Sequence, residues 1–126
     1  MNQNKADNRK KGYDGEAFAT QKLETDGYTV LCKNYTCKGG EIDIVCTKQS
    51  YICFVEVKMR SAESGESAVL SVDERKLSRI ECAVESFLGE YSENEYIRSL
   101  TPRTDIFEIY TCRDKIVKYN HITAIN

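Results

Sequence analysis

The chain has 126 residues, 40% hydrophobic and 30% charged, with a formal net charge of −2 and a pI of about 5.5. That balance suits one soluble globular domain, and the longest apolar runs fall far short of the roughly 20 residues that cross a bilayer. The N-terminus is polar rather than signal-like, so a cytoplasmic location is expected, and an acidic chain has no general attraction for a polyanion.

In chain order, residues 1–11 read as a charged, flexible tail carrying Lys5, Arg9, Lys10 and Lys11. Residues 12–126 read as a single domain. Gly12 to Asp26 predicts a helix, with Glu16, Ala19, Thr20 and Leu23 on one face, closed by Gly27. Tyr28 to Tyr35 predicts a strand, and Gly39-Gly40 marks a turn into a second, Glu41 to Thr47. Tyr51 to Met59 is the strongest strand signal, followed by a Ser-, Glu- and Gly-rich loop over 61–70. Ser71-Val72-Asp73-Glu74 fits a capping box. The helix it opens runs to about Leu88, with Val72, Ile80, Ala83, Val84 and Phe87 as its apolar stripe. Residues 89–102 form a connection ending at the only proline, Pro102, before two strands, Arg103 to Thr111 and Lys115 to Tyr119. The order α-β-β-β-α-β-β predicts an α/β fold, a mixed central sheet flanked by helices.

The six cysteines contain no Cys-x-x-Cys pair, and the one histidine, His121, stands apart from them. Structural zinc uses closely spaced pairs, so reduced and mostly buried thiols are expected, with Cys46 and Cys53 acting as small hydrophobes in strands.

Chemistry concentrates in the second and third strands. Asp43 lies between Ile42 and Ile44, and Glu56 and Lys58 are set in Phe-Val-Glu-Val-Lys. Charged residues seldom occupy such positions unless they are paired or bind metal. Glu56 and Lys58, two apart, share a face. A two-residue turn at Gln49-Ser50 sets Asp43 opposite Glu56, whereas a four-residue loop from Thr47 to Ser50 makes it a diagonal neighbour. Both place the carboxylates on one face, about 5–8 Å apart; a slip by one residue would separate them. Each residue alone has an ordinary explanation: a surface Glu–Lys pair, turn chemistry at Asp43, a helix-dipole charge at Glu16. Together, two carboxylates at that separation suit a hard divalent cation, Mg²⁺ or Mn²⁺, which takes oxygen ligands and keeps several waters. Lys58 would orient an attacking water or stabilise charge at phosphorus, and Glu16 would be a further ligand or supporting acid. Basic candidates for phosphate contact are Lys58 with Arg60, and Arg75, Lys76 and Arg79.

Gly12-x-x-Gly15-Glu16-x-x-Ala19, Asn34, Gly40-Glu41-Ile42-Asp43, Phe54-Val55-Glu56-Val57-Lys58-x-Arg60, Lys76, Arg103-x-Asp105 and the closing segment with His121, Ile122 and Ala124 carry a resemblance over almost the whole chain. On these residues the sequence resembles the YraN family of predicted endonucleases. Its centre is similar to the PD-(D/E)xK motif of restriction-endonuclease-like enzymes, a group that includes archaeal Holliday-junction resolvases. The resemblance implies a restriction-endonuclease-like core, Asp43 and Glu56 as metal ligands, and Lys58 as the catalytic lysine. It also implies Glu16 as the acid of the first helix and Lys76 as a basic residue facing the site. Ile42 replaces the motif proline, and Thr104 stands where phenylalanine is usual.

The expected function is Mg²⁺-dependent hydrolysis of phosphodiester bonds in DNA, at branched or damaged structures in repair or recombination. A two-fold symmetric substrate would favour a homodimer. The alternatives are a non-catalytic nucleic-acid-binding module of the same fold, and a nuclease acting on RNA.

Overall fold

The computed structural model describes residues 15–63 and 74–125. The predicted tail, residues 12–14 of the first helix, most of the 61–70 loop and capping-box residues 71–73 lie outside them.

Residues 15–25 are helical (α1). The helix stops because Gly27 takes φ 94°, a left-handed value that costs glycine little. Tyr28 N–H then reaches Leu23 O at 3.0 Å and Gly27 N–H reaches Glu24 O at 3.1 Å, the paired bonds of a Schellman cap. Three strands follow, β1 (Thr29–Cys37), β2 (Gly40–Lys48) and β3 (Tyr51–Ser61), joined by two-residue turns. α2 (Glu74–Glu90) and a short α3 (Glu95–Ser99) lead to β4 (Thr101–Cys112) and β5 (Lys115–Ile122). At Arg113-Asp114 both turn residues have positive φ, 53° and 64°, which matches a two-residue hairpin to the twist of its strands.

The five strands lie in chain order. β3 and β4 run parallel and every other neighbouring pair antiparallel, so the sheet is mixed as expected. α1 covers one face: Ala19 and Leu23 pack with Ile44, Cys46, Cys53, Val55, Phe107 and Ile109. α2 and α3 cover the other, where Ile80, Ala83, Phe87 and Ile97 meet Ile42, Val45, Ile52 and Phe54. A fully buried leucine such as Leu23 contributes about 1.5–3 kcal/mol by leaving water.

The connection after α2 holds α3, which the sequence reading left as irregular. Asn94 caps it, its side-chain oxygen accepting from Ile97 N at 3.0 Å. Pro102 is the second residue of β4, before the stretch Ile106 to Cys112 that β5 flanks. A missing N–H is tolerated at such a strand start.

Candidate metal site at the β2–β3 divergence

β2 and β3 pair from Lys48↔Tyr51 to Ile44↔Val55 around the Gln49-Ser50 turn, which is the two-residue register of the sequence reading. Backbone pairing stops there. The next residue, Asp43, turns its own carboxylate to the neighbouring strand, and Oδ2 accepts the Val57 N–H at 2.7 Å. β2 rotates at this point. Ile42 and Ile44, two apart, should share a face, yet Ile42 lies in the α2-side core and Ile44 in the α1-side core. On β1, Asn34 falls between the pairs Lys33↔Ile44 and Tyr35↔Ile42, across from Asp43, and adopts φ 57°. Asparagine tolerates that left-handed value better than most residues.

Glu56 lies beside this divergence and is 4% exposed. Its Oε1 meets Lys76 Nζ of α2 at 3.1 Å, and its Oε2 is buried with no hydrogen-bond partner. Burial and the Asp43 charge push the Glu56 carboxyl up to about 7, with Lys76 and Lys58 acting in the opposite sense. Asp43 is also raised, chiefly by burial, with the Val57 N–H and Lys76 opposing. Glu16, on the exposed margin of α1, is raised by burial and by Asp43, while Asn34 and Lys33 hold it down. Lys58 is half-buried, follows Glu56 on the same face of β3, and pairs in register with Glu108 of β4.

Asp43, Lys76 and Lys58 all act on Glu56, and Glu16 is linked to them only through Asp43. The donor set fits a small hard cation. The Asp43 charge raises the buried Glu56 carboxyl, and one oxygen of Glu56 is orphaned where an unpaired polar atom is costly. Among the described residues no group of three or more His, Cys, Asp or Glu side chains is placed to hold a metal ion.

The other basic candidates scatter. Arg60 follows Lys58 on the same face, half-buried, with its Nε sequestered and unpartnered. Arg79 lies on the exposed side of α2, 3.7 Å from Glu41. Arg75 is exposed, and Lys5, Arg9, Lys10 and Lys11 lie outside the described residues.

Two features escaped the sequence reading. Glu108 is 3% exposed and accepts from Asn120 Nδ2 at 2.8 Å, next to Lys58 in register. Asp105 is fully buried and organises the end of the chain. Arg103 donates to both of its oxygens at 2.9 Å, His121 Nε2 lies 2.8 Å away, and Ala124 N donates at 3.0 Å. Burial would raise the Asp105 carboxyl, but the bonds from His121, Arg103 and Ala124 outweigh it and hold the group below its ordinary range. Glu108, between Phe107 and Ile109, carries the signal that marked Asp43 and Glu56; Asp105, between Thr104 and Ile106, carries it on one side only.

All six cysteines are free thiols. Cys46 and Cys53 are buried as expected, but Cys32, Cys37, Cys82 and Cys112 are only half-buried. The expectation of mostly buried thiols fails because these four lie at strand ends, at the sheet edge or on the flank of α2.

A family model described as "Uncharacterised protein family UPF0102" matches residues 15–109. The chain belongs to the UPF0102 family. It is similar to a UPF0102 protein of Saccharophagus degradans, 38% identical over 98 residues, which span 78% of this chain and 80% of the relative. It is also similar to one from Caldanaerobacter subterraneus subsp. tengcongensis, 36% identical over 110 residues, or 86% and 87% of the two chains. A UPF0102 protein of Clostridium perfringens is 40% identical over 92 residues, 72% of this chain and 75% of the relative. The matched region spans α1 to most of β4 and so includes Glu16, Asp43, Glu56, Lys58 and Lys76.

Proposed function

We propose that this UPF0102 protein is a metal-dependent endonuclease of the restriction-endonuclease-like type, hydrolysing phosphodiester bonds in DNA in preference to RNA. The observation that carries the reading is the carboxylate pair at the strand divergence, with Glu56 Oε2 buried and unpartnered and Lys58 next along the same face. Asp43 and Glu56 are the residues that would hold Mg²⁺ or Mn²⁺. A bound divalent ion supplies Lewis-acid stabilisation of a phosphate oxygen and an acidified water.

The chain's own groups do the rest. Asp43, anchored by Val57 N–H, presents its other oxygen in a fixed direction. Lys58 holds the attacking water or donates to charge developing at phosphorus. Glu16, already raised by its surroundings, accepts a proton from that water. Lys76 and Arg60 steer the phosphate backbone.

The Lys76–Glu56 ion pair favours a second reading, a binding module whose carboxylate is neutralised internally. The two separate on a labelled panel of duplex, single-stranded, flap and four-way-junction DNA plus RNA, incubated with Mg²⁺ or Mn²⁺. Wild type is run beside Asp43→Ala and Lys58→Ala. Cutting that needs metal and vanishes in both variants supports the nuclease and ranks its substrates. Binding without cutting supports the module. Cutting that survives both substitutions overturns this site.

A further inference from the structure

We propose that Cys37 and Cys82 form a reversible disulfide cross-link that staples the β1–β2 hairpin to α2. Cys37 is the last residue of β1, and Cys82 lies midway along α2. Cys37 Sγ lies 3.9 Å from Cys82 O, and Cys82 Sγ lies 3.4 Å from the carbonyl oxygen of Lys38, the residue after Cys37. Cys37 lies near enough to act on the Cys82 thiol, which is held up first by burial, then by a hydrogen bond with Cys37 and by Glu85.

The backbones approach closely because two glycines remove the obstacles. A Cβ on Gly39 would lie 3.3 Å from Cys82 Sγ, and one on Gly40 would overlap the Arg79 carbonyl oxygen and lie 2.9 Å from Ala83 N. Gly40 is the cross-strand partner of Cys37. Disulfides need Cα atoms about 4.4–6.8 Å apart, so a close approach of the two backbones is the precondition for the link.

The other thiols lack this combination. Cys46 and Cys53 face one another in register but are fully buried, beyond an external oxidant. Cys112 lies 3.2 Å from Glu63 Oε1 instead.

The chemistry is thiol–disulfide exchange with a small external disulfide such as oxidised glutathione. One protein thiolate attacks a glutathione sulfur, the S–S bond breaks, and one glutathione leaves and takes a proton. The second protein thiolate then attacks the cysteine sulfur of the mixed disulfide, forming the Cys37–Cys82 bond. The bond to glutathione breaks, and glutathione is released as a thiolate that takes a proton. The two cysteine sulfurs lose two electrons together, and the external disulfide gains them. In a reducing compartment the pair rests as thiols. Closure fixes α2, the helix that brings Lys76 to Glu56, against the hairpin. The inference stands apart from the nuclease reading, because it rests on different residues.

The test uses the full chain, treated with oxidised glutathione without denaturant, blocked with iodoacetamide and mapped by non-reducing peptide mass spectrometry. The expected product is one peptide pair joining Cys37 to Cys82, two hydrogens lighter than the parts and undone by dithiothreitol. Tm should rise by on the order of 10 °C, since the bond closes a loop spanning a sequence separation of 45. Cys37→Ser and Cys82→Ser should each abolish the link and the rise. Full alkylation of both thiols, glutathione retained on either without closure, or a link between other cysteines would overturn the proposal.

Discussion

Lys76 Nζ sits 3.1 Å from one oxygen of Glu56, while the other oxygen of the same carboxylate is buried without a donor, beside Asp43. The ammonium partly fills the role of a cation and leaves room for a second. An incoming metal ion must therefore compete with Lys76. Lys76→Met should tighten Mn²⁺ binding by up to about tenfold, equivalent to 1.4 kcal/mol, in titration calorimetry. The same variant should weaken binding to DNA. Unchanged Mn²⁺ affinity would mean that Lys76 does not face the cation position.

Stability of the metal-free chain should fall as pH rises. Glu56 is raised from 4.5 to about 7, so between those values the folded chain holds a proton that the unfolded chain has released. Stability is then greatest near the low end of that window and declines through neutrality, by on the order of 3 kcal/mol. Asp43 and Glu16 are raised too and act in the same direction. Urea melts from pH 4.5 to 7.5 should show the decline, Glu56→Gln should flatten most of it, and Mg²⁺ should oppose it.

Asp105 behaves oppositely. Its carboxyl is held below its ordinary 3.8, so its contribution is present above that value and lost on acidification. Asp105→Ala leaves the half-buried Arg103 without its partner and releases His121 and the Ala124 N–H, at a cost of roughly 3–5 kcal/mol. Calorimetry should show Tm lower by on the order of 15 °C. Mn²⁺ affinity should stay within twofold, because no contact of Asp105 reaches Glu56 or Asp43.

Gly40→Ala places a methyl group into the Arg79 carbonyl and forces the hairpin and α2 apart. Overpacking of this kind costs about 1–3 kcal/mol. Lower stability, with slower cross-linking of Cys37 to Cys82, is the expected pair of results. A variant as stable as wild type would show that the contact can relax.

Period and punctuation made most of the fold legible. Alternation located β3 and Gly27 closed α1; of the two registers open in the sequence, the structure has the Gln49-Ser50 turn, which puts Asp43 beside Glu56. α3 was not legible because its five residues are too short for a helical period; the Asn94 cap was its one local signal. The carboxylate pair was visible because acids inside apolar strands are rare. Glu108 carries that same mark and Asp105 carries it on one side, but their partners, Asn120, Arg103 and His121, meet them only through the pairing of β4 with β5 and the return of the chain end. The rotation of β2 at Asp43 was hidden as well, since Ile42 and Ile44 read as neighbours on one face while tertiary packing assigns them to two cores.

The bond from Val57 N–H to Asp43 gives that carboxylate two jobs, one of them architectural. One oxygen replaces the backbone carbonyl that a continuing ladder would have provided, and the carboxyl also meets the Glu56 side chain. Alanine at this position removes the proposed ligand and also frees a strand, so a loss of activity in Asp43→Ala would mix two injuries. Asparagine, oriented with its amide oxygen toward Val57, keeps the seam closed while deleting the charge. That makes Asp43→Asn the substitution for trapping an uncut complex, with the sheet still sewn together beneath it.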